Sequence, residues 1–127
     1  MTENSEKTIL VIDDEEAIVL LLETMLDIYG FRCVSCFSPR QAMAMAISSK
    51  PDLIILDIAM PEVDGYEICV NLKNEPATRE IPVIMVTALA LAQDKKKGLE
   101  CGADGFIFKP FDPIFVISEI ERLLKQK

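Results

Sequence analysis

The sequence predicts an α/β fold: a five-stranded parallel sheet, doubly wound in three layers, with five helices shared between its two faces. Three observations carry this. Short apolar runs alternate strictly with longer segments of helical periodicity, five of each. The runs are apolar without polar alternation, as in strands buried on both faces. And 127 residues suffice for one domain with its own core but not for two, so residues 1–127 are expected to form one domain.

The first strand is Thr8 to Ile12 (TILVI). Glu16 to Tyr29 follows with apolar residues at helical spacing (Ala17, Leu20, Leu21, Leu22, Met25, Ile28) and stops at Gly30, a natural helix end. Arg32 to Phe37 is the second strand. Ser38-Pro39 pairs an N-cap with proline at the first helical position, and that helix runs to about Ser49, where Pro51 closes it. Leu53 to Leu56 is the third strand. Asp64 and Glu67 are spaced as a capping box for a helix reaching about Asn74. After a polar loop, Pro82 to Val86 is the fourth strand. Leu91 to Cys101 is a helix stopped by Gly102, Gly105 to Phe108 the fifth strand, and Asp112-Pro113 opens a last helix to about Lys125.

Composition removes several classes of function. Thirteen basic residues stand against 21 acidic, a net charge of -8. This argues against the domain itself gripping nucleic acid or an anionic membrane. There is no histidine, so the commonest general base and transition-metal ligand are both missing. Met1 to Lys7 is polar and no apolar run is long enough for a signal core or a membrane span, so a cytoplasmic location is expected. The four cysteines should then be reduced. Cys33 and Cys36 form a C-x-x-C pair, but residues three apart on a strand point to opposite faces, so they read as packing residues.

In such sheets the working site lies beyond the C-terminal ends of the strands. Strand one ends in Asp13-Asp14-Glu15-Glu16, strand three in Asp57, strand four in Thr87 and strand five in Lys109-Pro110. Carboxylates gathered at one edge repel one another, and a divalent cation relieves that repulsion. Oxygen donors without histidine or a placed thiolate suit Mg²⁺ rather than zinc. A carboxylate can attack phosphorus to give an acyl phosphate, while a metal, a lysine and a hydroxyl stabilise the transferring group. Asp57, alone at the end of a central strand, is the candidate nucleophile. Asp13 and Asp14 are the candidate metal-holding pair.

Four segments carry a resemblance over nearly the whole chain: VIDDEE at 11–16, LDIAMPEVDGYE at 56–67, VIMVTALA at 83–90 and GADGFIFKPF at 102–111. With these the chain resembles the receiver domain of two-component response regulators. The resemblance implies the flavodoxin-like (CheY-like) strand order 2-1-3-4-5. It implies a phosphorelay switch whose Asp57 accepts a phosphoryl group from a sensor histidine kinase or a His-phosphotransfer protein. It further implies that Asp14 binds Mg²⁺ directly and Asp13 mostly through water, with Asp57 and the Ala59 backbone carbonyl completing the protein ligands. Lys109 then pairs with the phosphoryl group, Thr87 is the switch hydroxyl, Phe106 is the aromatic that moves with it, and the Lys109-Pro110 bond is cis. By the same implication the domain catalyses only its own phosphorylation and dephosphorylation.

Two positions depart from the family pattern. Ala59, two residues after the phosphoacceptor, and Leu89, two after Thr87, are often larger or polar in the family. Both flank the path of an attacking water, so they bear on the lifetime of the phosphorylated form. A haloacid-dehalogenase-like phosphatase would want a second Asp where Ala59 stands, and its nucleophile after the first strand. An FMN carrier would want a phosphate cradle where Asp13 to Glu16 stand. A receiver used only for binding would not need Asp13, Asp14, Asp57, Thr87 and Lys109 together. With the sequence ending at Lys127, either a stand-alone receiver or an excised piece of a longer chain is expected. Output is expected through protein contact on the face of the fourth helix, fifth strand and fifth helix. There Ile114 and Phe115 fall off the core-facing stripe of the last helix, and Lys95 to Lys97 could pair with Glu119 and Glu121 across a homodimer.

Overall fold

A computed structural model of the chain describes residues 7–59, 64–87 and 92–125. The strands are β1 (Thr8–Ile12), β2 (Arg32–Cys36), β3 (Leu53–Asp57), β4 (Val83–Thr87) and β5 (Gly105–Phe108). The helices are α1 (Glu16–Ile28), α2 (Ala42–Ser49), α3 (Gly65–Asn74), α4 (Ala92–Glu100) and α5 (Pro113–Lys125). All neighbouring strands pair in parallel, in the order β2-β1-β3-β4-β5.

The period of two along each strand divides the core into two layers. Ile9, Val11, Leu53, Ile55, Ile84, Val86 and Ile107 face one side. There they meet Val19, Leu22, Met25 and Leu26 of α1 and Val116, Ile117, Ile120 and Leu123 of α5. Leu10, Ile12, Ile54, Leu56, Val83 and Met85 face the other, against α2 and α3. This explains why β1, β3 and β4 show no polar alternation. Cys33 packs into the first layer and Cys36 into the second, so the C-x-x-C thiols do lie on opposite faces. All four cysteines are free.

Boundaries move where local chemistry competes. The first turn before α2 is a short 3-10 turn, Pro39–Gln41, closed by the Gln41 N–H donating to the Ser38 carbonyl at 3.0 Å. Ser38 precedes that turn but makes no side-chain cap bond. Asp64 and Asp112 do cap: their carboxylates accept from the Tyr66 and Ile114 N–H groups at 2.9 and 3.1 Å. β2 stops at Cys36, leaving Phe37 exposed, whereas β3 runs one residue further to take in Asp57. β4 is shifted by one, so Thr87 is its last residue. Gly30 and Gly102 end α1 and α4 with φ of 89° and 97°.

Candidate functional site

Sheet order determines what can meet. β1 and β3 are adjacent at the centre, and β4 and β5 follow on one side, so their C-terminal ends share an edge. One carboxylate oxygen each from Asp13, Asp14 and Asp57 lie within 4.8 Å of one another there. Asp13 and Asp57 are buried; Asp14 is exposed.

Asp57 is held from two sides. Its Oδ1 accepts from the Ala59 N–H at 2.9 Å, and its Oδ2 accepts from the Lys109 ammonium at 3.3 Å. α3 begins close beneath it. A Cβ on Gly65 would stand 2.5 Å from the Ile58 Cα and 3.0 Å from the Asp57 carbonyl oxygen, so no other residue fits without moving backbone. Lys109 is brought to the edge by its own N–H donating to the Thr87 carbonyl at 3.0 Å, and the Lys109–Pro110 peptide is cis. Thr87 is buried at the end of β4. Phe106 is half-buried and packs on the α2–α3 side of the sheet. Ala59 is exposed. Leu89 lies outside the described residues.

Asp13 has the most altered chemistry. Burial pushes its carboxyl up to about 7, with the nearby Asp57 carboxylate adding to the rise and the Glu15 N–H and the Lys109 ammonium opposing it. Its Oδ1 accepts from the Glu15 N–H at 2.9 Å, but its Oδ2 is buried with no hydrogen-bond partner. A buried, unpartnered carboxylate oxygen beside two more carboxylates fits a hard divalent cation. The oxygen-only donor set fits Mg²⁺ and not a thiolate or imidazole metal.

One contact was not visible from residue types. Glu15 Oε1 stands 3.8 Å from the Lys109 ammonium, a second acidic neighbour for that lysine. Four consecutive acids hinted at it, but only the fold shows which of them faces β5. The thiols take no part: burial raises Cys33 to about 11 and Cys69 to about 12, well away from thiolate chemistry.

A family model described as the response regulator receiver domain matches residues 9–121. The response regulator PleD of Caulobacter vibrioides is 41% identical over 94% of this chain and 26% of its own. The receiver domain of a signal transduction histidine kinase from Syntrophus aciditrophicus is 38% identical over 94% of this chain and 91% of that one, with a TM-score of 0.85. The receiver domain of sensor histidine kinase PA1611 from Pseudomonas aeruginosa is 27% identical over 94% of this chain and 98% of that one, also at 0.85. That structure is described with a magnesium ion coordinated in the active-site cleft. The chain spans from about a quarter to about half the length of the curated relatives it matches.

Proposed function

The chain belongs to the family of response regulator receiver domains, signalling domains of two-component systems, and from that premise we propose that Asp57 is its phosphoacceptor. The donor in this reading is a phosphohistidine of a sensor histidine kinase or a His-phosphotransfer protein. An Asp57 carboxylate oxygen attacks phosphorus, and a new O–P bond forms. The P–N bond to the donor imidazole breaks, and its electron pair leaves with the ring nitrogen.

The residues of the chain divide the work. Lys109, already 3.3 Å from Asp57, balances charge on the phosphoryl oxygens. The Ala59 N–H keeps the Asp57 carboxylate in one orientation. Asp13, Asp14, Asp57 and the Ala59 carbonyl would hold Mg²⁺. Bound there, the ion supplies positive charge against the transferring group and relieves the repulsion of the carboxylates. Thr87 would hydrogen-bond the phosphoryl group, and Phe106 would follow it, so that the surface of α4, β5 and α5 changes for a partner. Residues 1–127 act as one receiver unit in this reading, in the cytoplasm, where four free thiols persist. Position 59 is an alanine, so a dehalogenase-like phosphatase would lack its second acid.

The observation that carries the reading is the meeting of Asp13, Asp14, Asp57 and Lys109 at one sheet edge. Incubation with acetyl phosphate should add one phosphoryl group by intact mass, only with Mg²⁺ present. Asp57→Asn should abolish the addition. Undiminished labelling of that variant would overturn the assignment.

A further inference from the structure

Among the described residues the Lys109 ammonium makes two ion pairs, and Asp13 also feels its charge. The ammonium is 3.3 Å from Asp57 Oδ2 and 3.8 Å from Glu15 Oε1. The Asp57 side chain is 1% exposed and the Glu15 side chain 59%. The ammonium therefore sits on the boundary between the buried nucleophile and solvent. Glu15 occupies the N-cap position of α1 in extended backbone (φ -91°, ψ 111°), but its side chain is not used for capping. Its backbone is fixed instead: its N–H donates to Asp13 Oδ1 at 2.9 Å, and its carbonyl accepts from the Val19 N–H at 3.1 Å. A residue of the acidic cluster thus sets where the Glu15 side chain begins, and that side chain reaches toward Lys109.

We propose that Glu15 is a positioning residue for Lys109, drawing the ammonium outward so that it does not neutralise Asp57 before the phosphoryl donor arrives. The inference rests on the assignment of Asp57 and Lys109 given above. An ammonium closed onto Asp57 alone weakens that carboxylate as a nucleophile and must be pulled away again to meet phosphoryl oxygens. Shared with an exposed carboxylate it is held loosely. An incoming phosphoryl group with more than one negative charge then displaces Glu15 readily. Because the Glu15 side chain is 59% exposed, although that of Lys109 is only 22% exposed, the pair's influence on rate should be about two- to fivefold and should shrink with added salt.

Two variants separate this from a plain charge effect. Glu15→Gln keeps the side chain's size and removes its charge. Glu16→Gln removes one charge from the same segment without touching either partner of Lys109. The first readout is the NMR signal of the Lys109 ammonium in the unphosphorylated chain. The second is the phosphorylation rate at saturating acetyl phosphate with Mg²⁺. Glu15→Gln should shift the ammonium signal and lower the saturated rate about two- to fivefold. Glu16→Gln should leave both unchanged and alter only the donor concentration needed for half saturation. Identical behaviour of the two variants in either readout, or a saturated rate that rises in Glu15→Gln, overturns the proposal. A wild-type chain that takes no phosphoryl group at Asp57 overturns the underlying assignment instead, while the ammonium signal still judges the Glu15–Lys109 contact.

Discussion

Asp13 cannot be comfortable both buried and charged. Its carboxyl is pushed up to about 7 chiefly by burial, while an unfolded chain ionises it at its ordinary value of 3.8. The folded state therefore holds the proton more tightly, and the stability this gives is full below the unfolded value and is lost as pH rises through the folded one. A divalent cation favours the carboxylate and reverses the loss. Added Mg²⁺ should thus raise the melting temperature more near about pH 8 than near about pH 5, and Asp13→Asn should remove most of that difference. Equal Mg²⁺ shifts at both values would contradict the account. Asp13, Asp57, Thr87 and Lys109 were legible as strand-end residues because a parallel sheet puts those ends on one edge. The Glu15–Lys109 contact was not, since it depends on which way one side chain leaves a turn 94 positions away from its partner in sequence.

At the scale of elements, α4 and β5 are pressed together by a missing side chain. A Cβ on Gly98 would fall 2.5 and 2.7 Å from atoms of the Phe106 ring and 3.0 Å from the Met85 sulfur. Gly98→Ala should gain about 1 kcal/mol of helix propensity. Overpacking should cost about 1–3 kcal/mol and outweigh that gain. Chemical denaturation should therefore show a net loss, and Phe106→Ala in the same chain should suppress it. A Gly98→Ala chain more stable than wild type would mean the ring is loosely held and poorly suited to report on α4. The elements themselves were readable from apolar runs, Gly stops and Asp caps. Ser38 misled because proline at position 39 favoured a turn closed through the Ser38 carbonyl, leaving its hydroxyl without a cap bond. The opposition of Gly98 and Phe106 was hidden, because a glycine inside a helix shows in sequence only as a weak helix former.

For the molecule as a whole, the two core layers bury β3 and β4 throughout and β1 except at Thr8, so in the proposed reading a signal made at the sheet edge leaves across the helices. The face of α4, β5 and α5 offers exposed apolar side chains for it, as α1 also does with Leu20 and Ile28: Leu99 of α4 is 62% exposed, and Ile114 and Phe115 of α5 are 74% and 42% exposed. Beside them Lys95, Lys96 and Lys97 are exposed as well, with the Lys97 ammonium 4.4 Å from the Tyr66 ring centre. The charge pairing that the sequence suggested for Glu119 is already taken within the chain, because Arg122 holds its carboxylate at 3.0 Å. Apolar contact should therefore dominate any association here, with the lysines and Glu121 contributing at the rim. A homodimer or a docked partner on this face should strengthen when Asp57 carries a phosphoryl group. Sedimentation with and without a beryllofluoride mimic tests the dimer. Self-association should rise with the mimic, weaken only modestly with salt, and disappear in Ile114→Asp or Phe115→Asp while intact-mass labelling of Asp57 persists. A chain that stays monomeric at high concentration in both states would exclude the homodimer and leave this face to a different protein.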